Sequence, residues 1–184
     1  MSLLGQRLLA VHDALSGAGL AHAFGGAIAL AYCTEDPRGT RDLDVNVFVD
    51  PTRAEEVLAA LPAEVTVSQA NITTAQRDGQ VRVWWEDTPV DIFLDVHRLH
   101  AEAAEGVRQV AFEGRTIPVL DCTALTVFKA LLARTKDWAD IEEMAAAAAT
   151  DLPHAQAWIE RILGAESITA HRLRSLSPGG HPSL

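Results

Sequence analysis

Lysine is scarce in this chain. It occurs twice among 184 residues, as Lys129 and Lys136, and acidic residues outnumber basic ones 25 to 15, so the formal net charge is −10. Broad capture of a nucleic-acid backbone needs clustered Lys and Arg, because they displace the counterions on the phosphates. The composition therefore argues against that mode of binding. A local basic groove stays open, since both lysines fall in one short segment.

Aromatic residues, cysteine and long apolar runs are also scarce. Aromatics make up 5% of the chain, so we expect a core of Ala, Leu and Val in an ordinary soluble globular protein. No apolar run approaches the roughly twenty residues of a membrane span, and the chain starts on an amphipathic helix pattern without an apolar signal sequence. Cys33 and Cys122 lie far apart in no metal-ligand spacing, which favours two buried apolar cysteines. We therefore expect a cytoplasmic protein with no membrane partner.

The order of hydrophobic patterns predicts an α+β fold, a mixed sheet flanked by helices with a helical C-terminal third. Strand-like and helical patterns are interleaved up to residue 120, including strands at 80–86 and 90–96 joined across Asp87-Thr88-Pro89, while 69–79 gives little signal. From Asp121 onward the spacing predicts helices, one of which takes in the run Ala145–Ala149. We accordingly divide the chain into a core at 1–120, a helical part of the same domain at 121–175 and a flexible tail at 176–184.

A glycine pair followed by two alternating aspartates is the most informative motif. Gly25 and Gly26 precede a helix pattern, and a turn without Cβ atoms can bring backbone N–H groups against a phosphate at a helix N-terminus. Asp42 and Asp44 stand two apart on a predicted strand, so their side chains share one face and can hold Mg²⁺ against a triphosphate. An isolated Asp-x-Asp pair is more often explained by ion pairs with neighbouring arginines. The glycine pair upstream favours the nucleotide site instead.

A third carboxylate is expected on a neighbouring strand. Transfer of a nucleoside monophosphate uses two Mg²⁺ ions and therefore needs several hard oxygen ligands. Asp91 is the best candidate, because it stands in the apolar strand pattern Val90–Leu94, where an unpaired carboxylate would be costly. Asp95, on the same face, is the reserve choice. A surface-facing strand residue is the plainer alternative for Asp91.

Three separated patterns, in this order, resemble the AbiEii-type nucleotidyltransferases of the DNA polymerase β-like superfamily. The patterns are Gly25-Gly26 with Ala29-Leu30, then Arg38-x-Thr40-x-Asp42-Leu43-Asp44, and last Lys129 with Arg134-x-Lys136-Asp137-x-x-Asp140. The similarity spans about residues 20–145. It implies the polymerase β-like nucleotidyltransferase fold, use of an NTP, and relatives that include toxins of bacterial toxin–antitoxin systems.

The resemblance also implies roles for individual residues. Its nucleotide-binding set comprises Gly25, Gly26, Arg38, Thr40, Lys129 and Lys136. Its metal ligands are Asp42 and Asp44, to which the strand argument adds Asp91, and the catalytic set is then Asp42, Asp44, Asp91, Lys129 and Asp137. Many polymerase β-like transferases carry Gly-Ser at the glycine turn, so a hydroxyl contact is absent here and Thr40 is a candidate substitute. A snorkelling surface lysine is the plainer alternative for Lys129.

Three functions are compatible with these features. The first is a toxin-like enzyme that adds NMP to RNA, such as a tRNA end, with a possible cognate antitoxin as partner. The second is nucleotidylation of a small hydroxylated antibiotic, an aminoglycoside or a lincosamide, which suits the acidic composition better. The third is a catalytically silent protein that binds a nucleotide or a partner. The glycine signature ranks RNA first by a narrow margin.

Overall fold

The computed structural model describes residues 2–176, which fall into two compact units. The first, here called the sheet unit, comprises the residues up to Ile28 together with Arg38–Leu120. The second, the helical unit, comprises Ala29–Pro37 together with the residues from Asp121 onward. The sequence division at residue 120 therefore differs in one respect, since the short segment 29–37 belongs with the helices. Whether the two units make up one domain stays a prediction.

The sheet unit contains seven strands and four complete helices. The strands are β1 His22–Phe24, β2 Leu43–Val47, β3 Val65–Thr66, β4 Gln80–Trp85, β5 Thr88–Leu94, β6 Arg108–Phe112 and β7 Arg115–Val119. The helices are α1 Leu3–Gly17, α3 Ala54–Ala59 (after a 3-10 turn at Pro51–Arg53), α4 Gln69–Asp78 and α5 Arg98–Glu105. A further helix, α2 Gly26–Thr34, begins in the sheet unit and ends in the helical unit.

The strands form one mixed sheet in the order β3-β4-β5-β2-β1-β7-β6. Strand β2 pairs in parallel with β5 and antiparallel with β1, and β4 pairs antiparallel with β5. Strands β2 and β5 lie near the middle of the sheet and are rich in fully buried apolar residues, such as Val45 and Ile92. Side chains at every second position of these strands face away from that core. The residues on this outer face form the candidate site.

The register of the β4–β5 hairpin is held by Arg7 of α1. The two strands meet at Trp85 and Thr88, so the turn is only Glu86-Asp87. The Arg7 guanidinium, 3% exposed, donates hydrogen bonds to Glu86, Asp87 and Thr88. One buried cation thus bonds both turn residues and the first residue of β5. The predicted three-residue turn at 87–89 is wrong, because Thr88 and Pro89 belong to β5.

The described part of the helical unit contains four further helices. They are α6 Cys122–Leu132, α7 Thr135–Ala146, α8 Leu152–Leu163 and α9 Ile168–Leu176. Asp121 caps α6 by accepting hydrogen bonds from two backbone N–H groups, and Asp151 caps α8, which carries Pro153 in its first turn. The fully buried Ile141, Met144, Ile159 and Leu173 form its core.

The predicted α+β class is confirmed, and the exceptions are local. Residues 69–78, which gave little signal, form helix α4, which is capped by Ser68 and Asn71 and ends at Gly79 in the left-handed region. Helix α5 was not predicted. The run Ala145–Ala149 is not one helix, because α7 ends at Ala146 and Ala148 has φ +51°. The predicted tail at 176–184 lies outside the described residues except for Leu176, which ends α9.

The two cysteines are buried, as expected, but they are bonded to each other. Cys33 near the end of α2 and Cys122 at the start of α6 form a disulfide with a Cα–Cα distance of 5.7 Å. Both residues belong to the helical unit. The bond bears on the predicted cytoplasmic location, because thiols are usually kept reduced there. The location stays a prediction.

Within the described residues, no helix combines the length and the apolar character needed to span a membrane.

Candidate active site

The glycine pair lies directly against Asp44. The backbone N–H of Gly25 donates a hydrogen bond of 2.8 Å to the Asp44 carbonyl oxygen. Gly26 has φ +51°, and a Cβ built there would lie 2.6 Å from Asp44 Cγ. A side chain at this position would therefore displace the Asp44 carboxylate, and its backbone conformation favours glycine. Helix α2 begins at Gly26, so the carboxylate lies beside a turn whose backbone is bare.

Asp44 and Asp91 face each other across neighbouring strands. They are register partners in the parallel pair β2–β5, which puts their side chains on the same face of the sheet. Asp42 stands just before β2, two residues from Asp44, which is the spacing of side chains on the same face of a strand. Its Oδ1 accepts a 2.5 Å hydrogen bond from the Thr40 hydroxyl. All three carboxylates are half-buried. They are called the carboxylate cluster below.

A residue that the sequence did not single out, Arg82, lies within the carboxylate cluster. It is the register partner of Asp91 in the β4–β5 pair. Its Nε is 2.8 Å from Asp91 Oδ1 and its Nη2 is 2.7 Å from Asp91 Oδ2. The hydrogen bonds to Asp91 raise the pKa of Arg82 against the opposing effect of burial, and the charges of Asp91, Asp42 and Asp44 raise it further. One guanidinium therefore interacts with all three carboxylates.

The donor groups of the carboxylate cluster are of the kind that Mg²⁺ prefers, but their present arrangement is not that of a metal site. Its ligands would be carboxylate oxygens, which Mg²⁺ prefers, and the bare Gly26 leaves the Asp44 carboxylate room that a Cβ would take. No group of three or more His, Cys, Asp or Glu side chains in residues 2–176 is already arranged to hold a metal ion. Both oxygens of Asp91 are held by Arg82. A metal ion that approached Asp91 from the side of Arg82 would therefore compete with that guanidinium.

Two predicted residues of the helical unit, Lys129 and Asp137, belong to an ion-pair network with Arg134 and Asp140. Lys129 Nζ lies 2.7 Å from Asp140 Oδ2 and 3.8 Å from Asp137 Oδ1. Arg134 Nε is 2.6 Å from Asp137 Oδ2, and the Arg134 backbone N–H also donates to that oxygen. The side chains of Lys129 and Asp137 are only 10% and 1% exposed. These four residues, Lys129, Arg134, Asp137 and Asp140, are called the Lys129 cluster.

Electrostatics within the Lys129 cluster favour the charged form of Asp137. Burial acts to raise the pKa of Asp137, but the Arg134 hydrogen bonds and the charges of Arg134 and Lys129 outweigh it and lower the pKa. Lys136, by contrast, is exposed on α7, and Arg38 is exposed in the loop before β2. Roles for Lys129, Asp137, Lys136 and Arg38 in nucleotide binding stay predictions.

Two other features of the sheet unit are the reserve ligand Asp95 and a cavity. Asp95, the reserve ligand, follows the end of β5, with its Oδ1 4.0 Å from His100 Nδ1. A cavity of about 450 Å³ is lined by His12, His22 and Phe48 among others, and none of the predicted site residues lines it. His12 Nδ1 and His22 Nε2 are 2.9 Å apart at its wall.

Comparison with solved structures identifies the fold. The solution structure of the antibiotic-resistance factor ANT(2″)-Ia matches with a TM-score of 0.61 at 15% identity, over 86% of this chain and 92% of its own. The crystal structure of ANT(2″)-Ia with adenylyl-2″-tobramycin also gives 0.61, at 14% identity over 95% and 98%. An antigenic nucleotidyltransferase-like protein from Paracoccidioides brasiliensis gives 0.50 at 16% identity, over 92% and 94%.

The chain therefore has the nucleotidyltransferase fold, as the sequence predicted. No family model matches the chain, and no curated protein matches it significantly. The similarity extends over most of both chains in each of these comparisons, while the identity of about one residue in seven restricts what it shows to the fold. The AbiEii toxin branch, which the motifs resembled, stays a prediction.

Proposed function

We propose that this protein is a Mg²⁺-dependent nucleotidyltransferase that moves NMP from an NTP to an acceptor hydroxyl. The observation that carries the proposal is the contact of the glycine turn with Asp44, opposite Asp91 on the next strand. This chemistry needs a glycine turn that accommodates phosphates, and it needs carboxylates that hold cations directly beside that turn. Structures with this fold include nucleotidyltransferases, which is consistent with the proposal.

Each residue of the site has a task in that reaction. Asp42, Asp44 and Asp91 would hold two Mg²⁺ ions, which when bound activate the acceptor oxygen and stabilise the leaving pyrophosphate. Gly25 and Gly26 would present backbone N–H groups to the phosphates. Thr40 orients Asp42 through its hydroxyl hydrogen bond. The acceptor oxygen bonds to the α-phosphorus, the bond from that phosphorus to the α,β-bridging oxygen breaks and releases pyrophosphate, and the hydroxyl proton of the acceptor passes to solvent water.

The remaining predicted residues would act on the phosphates of the nucleotide. Arg38 stands before the metal strand, where a guanidinium could meet phosphate oxygens. Lys129 and Lys136 would contact the triphosphate, and Asp137 would support them, as the motif resemblance implies. Lys129 is held by Asp140 and Asp137 in the structure, so this part of the proposal requires that the ammonium also reach a phosphate.

For the acceptor we propose a small cationic molecule with free hydroxyls, of the aminoglycoside type. The net charge of −10 favours a polycation over RNA. ANT(2″)-Ia, which has the same fold, has been crystallised with adenylyl-2″-tobramycin. Transfer to a tRNA end, the first choice on motifs alone, depends on the AbiEii resemblance, which no family model supports.

A labelling experiment separates these acceptors. The protein is incubated with each α-³²P-labelled NTP and Mg²⁺, with an aminoglycoside and lincosamide panel, with total tRNA, or alone. We expect label on an aminoglycoside, and none with Asp44→Asn, which removes a charge at nearly constant volume. Label entering tRNA would refute the aminoglycoside acceptor and favour the alternative of a toxin-like enzyme with an antitoxin partner. No transfer from any NTP, together with tight nucleotide binding, would favour the catalytically silent alternative.

A further inference from the structure

Asp91 already has a cationic partner at the place where the proposed function puts a metal. Arg82 bonds both of its carboxylate oxygens in the side-by-side geometry that guanidinium and carboxylate prefer, at 2.8 and 2.7 Å. The Asp91 side chain is 16% exposed, whereas that of Arg82 is 51% exposed. The guanidinium therefore covers the carboxylate from the solvent side. It can leave without disturbing the core beneath the sheet.

Arg82 also compensates the charge of the whole carboxylate cluster. The charges of Asp42, Asp44 and Asp91 all act on the Arg82 guanidinium, and of these three carboxylates Asp91 is the one that accepts its hydrogen bonds. Carboxylates that share one face of a sheet repel one another, and a nearby positive charge makes their joint ionisation less costly. In the protein without metal, Arg82 supplies part of the charge that a divalent cation would supply.

Metal and arginine compete for the same side of the Asp91 carboxylate. The two-point contact of Arg82 uses the inner lone pair of each oxygen, so a metal ion that coordinates from that side displaces at least one of the two hydrogen bonds, and the two positive charges repel each other. Under the proposed function, a guanidinium released there would lie on the face of the sheet where the triphosphate binds. Its planar fork of donors matches phosphate oxygens as well as it matches a carboxylate.

We propose that Arg82 is a triphosphate-binding residue of this site, held on Asp91 until a metal–nucleotide complex displaces it. This inference rests on the proposed function, because it needs the metal at the carboxylate cluster. It predicts that Arg82 opposes binding of the metal alone and favours binding of the metal with its nucleotide. A cross-strand ion pair that served only the sheet would produce neither effect.

The test measures two affinities in the folded protein, neither of which depends on turnover. Binding of Mn²⁺ alone is followed by loss of the electron paramagnetic resonance signal of the free ion. Binding of Mn²⁺ with the α,β-methylene analogue of each NTP, which cannot be cleaved, is followed by calorimetry. The variants are Arg82→Gln, Arg82→Lys and Asp44→Asn, each checked for folding by thermal melting.

Arg77→Gln is the matched control. Arg77 bonds Asp78 with the same two-point geometry, at 2.7 and 2.6 Å, on the surface of the same unit. Any general effect of removing one positive charge and one surface ion pair should appear in this variant too. We expect it to bind both probes as the wild type does.

Arg82→Gln should shift the two affinities in opposite directions. We expect Mn²⁺ alone to bind about twofold to fivefold tighter, since a well-formed exposed ion pair no longer competes. The Mn²⁺–nucleotide complex should bind about tenfold weaker, since one charge-assisted contact to phosphate is lost. Arg82→Lys keeps the positive charge but loses the planar guanidinium. Its affinity for each probe should lie between those of Arg82→Gln and the wild type.

Other outcomes overturn the inference. Unchanged affinities in Arg82→Gln would show that the pair serves the sheet alone, and tighter binding of both probes would show that Arg82 merely repels cations. If Arg82→Gln fails to fold, Arg82→Lys decides, and wild-type affinities in that variant reject the exchange. Wild-type Mn²⁺ binding by Asp44→Asn would refute the proposed metal site itself, and the exchange with it.

Discussion

The carboxylate cluster and the Lys129 cluster are built from the same kinds of side chain but differ in exposure. Arg82 is 51% exposed on the outer face of the sheet, beside a glycine turn. Lys129 is 10% exposed within the helical unit, between two aspartates. We therefore propose that the first cluster can exchange its cation for another, whereas removal of Lys129 from the second would leave buried charges unpaired. On this proposal exposure, more than residue type, distinguishes the two clusters.

Loss of the disulfide should have the largest effect on stability, because the bond joins two segments of the helical unit that lie far apart along the chain. The bridge closes a loop with a sequence separation of 89 residues. Replacing Cys33 by Ser should lower the free energy of unfolding by about 4–5 kcal/mol on the loop-entropy model. Urea unfolding with and without dithiothreitol measures the effect. Equal stability of the reduced wild type and the oxidised wild type would contradict the prediction.

Removing the cation should affect the two clusters unequally. Lys129→Met should lower the free energy of unfolding by about 3 kcal/mol, because Asp140 and Asp137 stay buried beside a missing charge. Arg82→Gln should cost less than about 1 kcal/mol, since its pair is half-exposed. Lys136→Met, at the exposed lysine, is the control. Urea unfolding of all three variants checks the order.

The same Lys129 variant tests the proposed phosphate contact. Its affinity for the Mn²⁺–nucleotide complex, measured under conditions where it is folded, should be lower than that of Lys136→Met. Unchanged nucleotide affinity combined with lost stability would make the Lys129 cluster purely structural and would sharpen the contrast with the sheet.

Closing the bare turn should damage the carboxylate cluster directly. Gly26→Ala places a Cβ against Asp44 and forces an L residue to φ +51°. We expect a loss of about 2 kcal/mol in stability, of which the backbone conformation accounts for about 1–2 kcal/mol, together with weaker Mn²⁺ binding. Gly17→Ala is the control, because a Cβ there meets nothing within 4 Å. Mn²⁺ binding by Gly26→Ala equal to that of the control would separate the glycine turn from the metal site.

As the pH falls, the sheet unit should lose stability at a higher pH than the Lys129 cluster does. Burial lowers the pKa of both His22 and His100 below the ordinary value of 6.5. The unfolded chain then binds protons first, so the stability contributed by these neutral imidazoles is lost as pH falls from about 6.5 through their folded pKa values. Asp137, whose pKa is lowered, keeps its contribution until pH falls below its ordinary value of 3.8.

Urea unfolding at pH 7.5 and at pH 5.5 measures this effect, which should be the smallest of those described. The decrease should shrink in a His22→Gln variant. A decrease that is unchanged in His22→Gln and in His100→Gln would assign it to other groups.

Much of the sheet and of the motif geometry could be predicted from the sequence. The alternation of apolar residues from Leu43 to Val47 placed Asp44 on the outer face of the sheet. The glycine pair lies close beside Asp44, as residues without Cβ atoms can. Arg82 was missed because the hairpin register was misjudged. A turn at 87–89 pairs Glu86 with Val90 and puts Trp85 opposite Asp91, whereas the observed two-residue turn puts Arg82 there. Nothing in the sequence marks Arg7 as the buried residue that bonds this turn.

Helix α4 and the ion partners of Lys129 show two further limits. Helix α4 buries only Ala75, so it has almost no apolar periodicity, and only Ser68 and Gly79 mark its ends. The spacing from Lys129 to Asp140 suggested a functional motif, but spacing along the chain does not determine whether a charged side chain is buried. The disulfide likewise depends on two helices meeting, which residues 89 positions apart do not reveal.

The most direct measurement is anomalous diffraction at the manganese edge from crystals grown with Mn²⁺ and a non-cleavable NTP analogue. Our account predicts a manganese peak about 2.1 Å from carboxylate oxygens of Asp44 and Asp42 or Asp91, with the Arg82 guanidinium turned from Asp91 to the phosphates. A bound nucleotide with no manganese at these carboxylates would contradict it.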